Sequence, residues 1–174
     1  YEGTLRYNVI HGFGKMTYQD GSRYKGDFFQ GVKSGFGVYK NSYGDVYEGE
    51  FGLNEFNGHG TLLYNNNTNE SISIIKKKEG MWEDGALHGP GKITYHDNSY
   101  YKGILKYGYR EGKGVLFFNN NSPKYDGYFK NNFFHGHGKL FDEKKNTIYF
   151  GNFRDGVYSG YGEELENNKI VYYG

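Results

Sequence analysis

Tyr24-Lys25-Gly26-Asp27-Phe28-Phe29-Gln30-Gly31-Val32-Lys33-Ser34-Gly35-Phe36-Gly37 is one copy of a pattern that recurs along the whole chain. Its fixed points are Tyr-x-Gly, eight residues, then Gly-x-Gly. Tyr1, Tyr24, Tyr47, Tyr101, Tyr125 and Tyr149 open six copies, and Lys78 stands in the Tyr place of a seventh. The first Gly of each pair follows its opener by 11 residues, at Gly12, Gly35, Gly58, Gly89, Gly112, Gly136 and Gly160. Openers are 23 or 24 residues apart except for one interval of 31, where 65–77 carries an insertion. A fixed short period of this kind marks stacked supersecondary units, each too small to bury a core alone.

Strand side chains alternate between faces, so the opener and the residues two and four places on share one face. The places four after the opener hold Leu5, Phe28, Phe51, Trp82, Leu105, Phe129 and Phe153, all large and apolar, while the next place is mostly charged. That is the alternation of a half-buried antiparallel strand. Seven residues after each opener stands Asn8, Gly31, Asn54, Gly85, Gly108, Asn132 or Gly156. Gly and Asn accept a left-handed backbone at low cost, so each repeat reads as a hairpin closed there. A second turn, between repeats, is marked by Gly21, Gly44, Asn98 and Asn121, with Lys145 and Lys169 in that place later. The Gly of Tyr-x-Gly and both of Gly-x-Gly are expected to leave holes on the aromatic face that rings fill.

Composition agrees with a thin array. Hydrophobic residues make up 36% of the 174, aromatic residues 20%, and Gly occurs 29 times, so apolar surface is concentrated on large rings. A net charge of +1 gives no electrostatic footprint for nucleic acid. Without Cys there is neither a disulfide framework nor a thiolate metal site. No apolar run approaches the roughly 18 residues of a membrane helix. Asn66, Asn69 and Asn120 begin sequons that Asn-rich loops also produce by chance.

Tyr24-Lys25-Gly26-Asp27-Phe28 through Gly35-Phe36-Gly37, and Tyr125-Asp126-Gly127-Tyr128-Phe129 through Gly136-His137-Gly138, resemble the MORN (membrane occupation and recognition nexus) repeat. The resemblance implies an all-β fold, an extended single-layer array of antiparallel hairpins curved so that its aromatic face forms a groove. The repeats divide the chain as 1–23, 24–46, 47–77 with the insertion, 78–100, 101–124, 125–148 and 149–171, with the start of an eighth at Tyr172-Tyr173-Gly174. A chain bounded in this way is expected to be a piece of a longer protein. The resemblance further implies a scaffold or interaction module, cytoplasmic, cytoskeletal or at the inner membrane surface. Alternatives are a phosphoinositide or membrane-surface module, or a regulatory segment beside a lipid kinase or methyltransferase.

Nothing in the residues reads as a catalytic centre. His11, His88 and His135 each precede a Gly-x-Gly pair, and His59 and His137 lie within one. Equivalent places in successive hairpins sit about 10 Å apart, too far to converge on a metal. The Gly-rich segments lead into no helix that could hold a phosphate. No enzyme activity, cofactor or metal is expected.

Two surfaces are the candidates. A partner peptide or helix is expected along Tyr24, Phe28, Tyr47, Phe51, Trp82, Tyr125, Phe129, Tyr149 and Phe153. Asp142, Glu164 and Glu166 occupy places that are apolar in earlier repeats, and predict a basic partner residue at that end. Lys92, Lys106, Lys130, Lys139 and Arg154 lie on the other face and would suit an anionic membrane surface. Self-association through the array ends is a further expected mode, giving a homodimer.

Overall fold

Why a chain of short hairpins holds together is visible in the computed structural model, which describes residues 1–65, 74–143, 146–166 and 169–173. The sequons at Asn66 and Asn69, most of the insertion and Lys145 lie outside them. Among the described residues, fifteen antiparallel strands follow one another in the sheet in chain order. The first half, Tyr1–Gly89, is built on β1 (Glu2–Arg6), β2 (Val9–Thr17), β3 (Arg23–Phe29), β4 (Val32–Lys40), β5 (Val46–Gly52), β6 (Glu55–Leu63) and β7 (Ile75–Glu83). After β8 (Ala86–Tyr95), the second half, Pro90–Gly174, holds β9 (Tyr100–Lys106), β10 (Tyr109–Phe117), β11 (Pro123–Lys130), β12 (Phe133–Asp142), β13 (Thr147–Arg154), β14 (Val157–Glu166) and β15 (Lys169–Tyr173).

Each repeat is a hairpin with a two-residue turn in which both residues have positive φ, as at Gln30 (48°) and Gly31 (85°), Leu53 (51°) and Asn54 (75°), and Asn131 (49°) and Asn132 (72°). This is the type I′ geometry whose twist matches that of the flanking strands. The expected Gly or Asn fills the second place. Its amide also donates to the preceding hairpin: Gly31 to the Ile10 carbonyl at 2.9 Å, Asn54 to Lys33 at 3.1 Å, Asn132 to Arg110 at 3.1 Å. Asn adds a second bond, since Asn54 Oδ1 accepts from the Lys33 amide and Asn132 Oδ1 from the Arg110 amide, each at 2.8 Å.

Three of the loops between repeats are closed by a polar residue three places before the next strand begins. Asp20 Oδ1 accepts from the Ser22 amide (2.9 Å) and hydroxyl (2.7 Å). Asp97 does the same for Ser99, and Asn120, the third sequon Asn, for Ser122. Positive φ falls at Gly21, Gly44, Asn98 and Asn121 as the turn chemistry requires. Lys169 instead begins β15.

Glycines of the Tyr-x-Gly and Gly-x-Gly motifs do two separate jobs. The Tyr-x-Gly residue and the second Gly of the pair face each other across each hairpin, as Gly26 with Gly37 and Gly127 with Gly138. They also face their counterparts in the next hairpin, as Gly37 with Gly49 and Gly138 with Gly151. The opener Tyr lies down on this strip: a Cβ at Gly26, Gly37, Gly127 or Gly138 would meet the ring or hydroxyl of Tyr24 or Tyr125. The first Gly of each pair has no such role, contrary to the expectation from sequence. Gly12, Gly112 and Gly160 have φ of 71°, 65° and 69°, and a Cβ there would meet nothing closer than 3.8 Å. The register slips beside this place, between Gly26 and Phe28 on β3 for example, so this Gly serves a bulge in the second strand.

Candidate functional site

One side chain organises the aromatic face of every repeat that has it. Tyr24 Oη donates to the Asp27 carbonyl at 2.9 Å, Tyr47 to Glu50 at 2.9 Å, Tyr101 to Ile104 at 2.7 Å and Tyr125 to Tyr128 at 2.9 Å. The hydroxyl is thereby satisfied while the ring covers the glycine strip. Edge-on contacts enclose it on both sides, since Tyr24 meets Phe28 of its own repeat and Phe51 of the next, both at 5.0 Å. Tyr125 sits likewise between Phe129 (5.1 Å) and Phe153 (5.2 Å). Such edge-to-face pairs add about 0.5–1.5 kcal/mol each beyond burial. Repeat four has Lys78 as opener, and there Trp82 Nε1 donates to the Gly60 carbonyl at 3.0 Å.

A third contact closes the enclosure, and the sequence reading missed it. The residue nine after the opener lies over the Tyr ring: Phe56 stacks on Tyr47 at 3.7 Å, Phe134 on Tyr125 at 3.8 Å and Tyr158 on Tyr149 at 3.7 Å. In two repeats that place holds a cation. Lys33 Nζ stands 5.8 Å from the centre of the Tyr24 ring, and Arg110 Cζ 5.9 Å from that of Tyr101. The sequence signal is that a large side chain recurs there, two places before the Gly-x-Gly pair and in strand phase with it.

Consequently Tyr24, Phe28, Tyr47, Phe51, Trp82, Tyr125, Phe129, Tyr149 and Phe153 are at most 4% exposed. They form the core of the sheet and offer a partner little surface. Burial pushes the Tyr24, Tyr47 and Tyr101 hydroxyls far above the ordinary phenol range and Tyr125 up to about 12. Besides the covering residues such as Phe56 and Phe134, side chains toward the far end of the second strand reach solvent on this face. Met16, Tyr18, Tyr39, Leu62 and Tyr64 in the first half, and Leu116, Phe118 and Leu140 in the second, are half-exposed.

Asp142, Glu164 and Glu166 belong to the same face. Asp142 and Glu166 both stand opposite Thr147, one on each side, and Glu164 stands opposite Tyr149. Burial raises the pKa of Tyr158, and the negative charges of Glu164 and Asp142 add to that shift. The face is nevertheless not apolar until that end, as the acids alone had suggested, because Lys33 and Arg110 place positive charge among the rings.

The five cations do not converge. Lys106, Lys130 and Arg154 are exposed at strand ends beside the hairpin turns, in a row paired with Tyr109, Phe133 and Val157. Lys139 lies mid-strand opposite Asp126, its Nζ 4.8 Å from the Phe141 ring, and Lys92 packs over Tyr100 at 4.4 Å. The opposite face is richer in rings than its charged places implied: Phe13, Phe36, Tyr128 and Phe150 are all more than half exposed.

Histidines are dispersed among separate partners. His88 Nδ1 faces Glu83 at 3.2 Å and His135 Nδ1 faces Asp155 at 3.8 Å, while His11 and His137 pack beside Phe29 and Phe150. Among the described residues no three His, Cys, Asp or Glu are placed to share a metal ion.

A hairpin whose opening Tyr lies on a glycine strip, with a bulge Gly two places before the second strip Gly, is the structural form of a sequence family. The MORN repeat profile matches residues 1–23, 24–45, 47–69, 79–100, 101–122, 125–146 and 149–165. The chain belongs to the MORN repeat family. Its MORN repeats are similar to part of Alsin from Rattus norvegicus, 29% identical over 129 residues, covering 59% of this chain and 8% of that protein. Human Alsin is 28% identical over 131 residues, with the same coverage. The ALS2 C-terminal-like protein of Bos taurus is 27% identical over 124 residues, covering 71% of this chain and 10% of the relative. The chain thus spans a tenth or less of these relatives' length. A repeat module for protein or membrane interaction is the function these likenesses support.

Proposed function

We propose that the chain is a non-catalytic scaffold whose aromatic face holds a segment of a partner protein. One observation carries this reading. Above a fully enclosed Tyr core, successive hairpins repeat a row of large, half-exposed side chains, such as Met16, Tyr39 and Leu62, at one level of the sheet. Rigid apolar anchors spaced by about 10 Å on a preformed surface lose little entropy when a segment is laid across them. Asp142, opposite Thr147, and Glu164, opposite Tyr149, would take a basic residue of that segment. A photoreactive residue introduced at Tyr39 or Leu140 tests the face against Phe36 or Tyr128 on the opposite one. Crosslinks to a discrete partner from Tyr39 or Leu140 are expected; crosslinks only from Phe36 or Tyr128 would sink the assignment.

A membrane reading has its own observation in the second half. Lys106, Lys130 and Arg154 each stand opposite an exposed apolar residue, Tyr109 and Phe133 at 55% and Val157 at 66%. Cations paired with exposed rings suit an anionic headgroup layer. Sedimentation with phosphatidylserine vesicles, before and after Lys106, Lys130 and Arg154 are replaced by Gln, decides it. Undiminished binding by the triple variant would remove this edge from the reading.

A further inference from the structure

Lys33 differs from every other residue nine places after an opener. That place holds an apolar side chain at Ile10 and Leu87 and a ring stacked on the opener Tyr at Phe56, Phe134 and Tyr158. Arg110 is charged, but its guanidinium is answered within the protein: Nη2 donates to the Asn132 carbonyl at 2.7 Å. The Lys33 ammonium has no hydrogen bond or ion pair among the described residues. Four rings surround it instead, Tyr39 at 4.7 Å, Phe51 at 5.5 Å, Tyr24 at 5.8 Å and Tyr18 at 5.9 Å from Nζ to ring centre. Ring faces attract a cation, yet they accept none of its three N–H bonds in the way an oxygen would. Burial accordingly lowers the pKa of this lysine, and the charge of Glu55 only partly opposes that. The side chain lines a cleft of about 620 Å³ together with Met16, Tyr18, Asp20, Phe28, Tyr39 and Asn54, a volume in the range of ligand clefts, about 300 to 1,000 Å³.

We infer that this cleft is an acid-reading pocket, in which Lys33 receives the carboxylate of an Asp or Glu side chain carried by an apolar partner segment. The inference rests on the scaffold reading and names the residue chemistry that one position of the segment must have. A carboxylate supplies the oxygen acceptors that the rings cannot, in surroundings where a charge-assisted hydrogen bond is strong. Met16, Tyr18 and Tyr39 supply contact for the apolar neighbours of that acid. A phosphate fits less well. It carries about two negative charges against a single ammonium, in a cleft already lined by Asp20, whose hydrogen bonds from Ser22 hold its carboxyl below the usual range and so keep it ionised.

The test is a displayed library of random 12-residue peptides selected on the 174-residue chain. Titration calorimetry of the enriched peptides follows on wild type, Lys33→Met and Lys33→Arg. Met keeps the apolar stem over the rings without the charge, and a thermal midpoint near wild type establishes that the variant is folded. Enriched peptides should carry Asp or Glu at one fixed place among apolar residues. Their affinity should fall at least about tenfold in Lys33→Met and be largely restored in Lys33→Arg. In the weakened variant, replacing the peptide acid by Asn or Gln should then make little further difference. Enriched peptides without a fixed acid, or with an acid worth as much in Lys33→Met as in wild type, would overturn the pocket and leave the scaffold reading standing. If no peptide is enriched, the scaffold reading fails and the pocket with it. Vesicles of phosphatidylcholine with phosphatidylserine form the control arm, and Lys33-dependent vesicle binding would replace the peptide by a headgroup.

Discussion

Phe56 lies flat on Tyr47, ring centres 3.7 Å apart and planes 6° from parallel, although the two belong to different strands and nine positions separate them in sequence. The stack explains how a single layer of sheet can hide a Tyr ring completely. Glycine backbone lies on one side, Phe51 and Trp82 meet its edges, and Phe56 covers the remaining side. Tyr47 is 0% exposed as a result.

Removal of that cover should be costly. Phe56→Ala is expected to destabilise the chain by about 2–4 kcal/mol, near the lower end of buried Phe truncations because Phe56 itself is half-exposed. Phe56→Leu, matching Leu87 in the next repeat, should lose less than half as much. Denaturant midpoints at unchanged m-value check both, and equal losses for Ala and Leu would contradict a covering role.

The two glycines of one Gly-x-Gly pair should respond differently to substitution. Gly114→Ala puts a Cβ into the Tyr101 ring and is expected to lose about 2–3 kcal/mol, with Asn at least as bad. Gly112 has open space but a φ of 65°, so Gly112→Ala should lose about 1–2 kcal/mol and Gly112→Asn less. If the order of Ala and Asn is the same at both places, the division of roles is wrong.

Asn132 has two functions that substitution can separate. Asn132→Gly keeps the positive φ and removes the Oδ1 acceptor of the Arg110 amide (2.8 Å) and of its Nε (3.4 Å), an expected loss of about 1 kcal/mol. Asn132→Ala should lose about 1–2 kcal/mol more, through the backbone. Thermal unfolding of the two variants gives the comparison.

Stability should fall in alkaline solution over a defined interval. In the unfolded chain Tyr125 ionises near pH 10, whereas in the fold burial pushes it up to about 12. Between those values the folded state binds more protons, so stability is complete below about pH 10 and declines as the pH rises toward the folded value. Tyr24, Tyr47 and Tyr101 shift in the same direction and strengthen the effect. Spectroscopic titration of the phenolates should show a late group of Tyr residues that ionise together with unfolding.

At the acid end the sign reverses. Hydrogen bonds from Ser22 and Ser99 hold the Asp20 and Asp97 carboxyls below their ordinary value, so their contribution is present above about pH 4 and is lost as the pH falls through the folded values. Asn120 makes the same bonds without a charge, so Asp97→Asn should change stability by less than about 0.5 kcal/mol at pH 7 and flatten the acid limb. A loss of more than about 1 kcal/mol at pH 7 would mean that the loop needs the charge.

The period of the openers, the two-residue alternation of Phe28 with Asp27 and Phe29, and Gly or Asn at the second turn position were enough to determine an all-β array of hairpins. Each is a local rule: the opener and the residue four on share a face because strands alternate, and Asn54 adopts positive φ because its neighbours form a two-residue turn. Only the tertiary structure decided which glycine packs and which one bends, because Gly35 and Gly37 are alike as letters and differ only in φ and in the position of the Tyr24 ring. It also decided that the nine candidate rings are core. Their burial depends on Phe56, Phe134 and Tyr158, which the hairpin register sets opposite Phe51, Phe129 and Phe153 and within reach of the Tyr rings. The same register set Lys33 opposite Phe28 and among four rings, where the charge of a single side chain became the most specific feature of the aromatic face. Alternation along a strand is set by the backbone alone, whereas the neighbours a side chain acquires across a bulge depend on the register of the neighbouring strands.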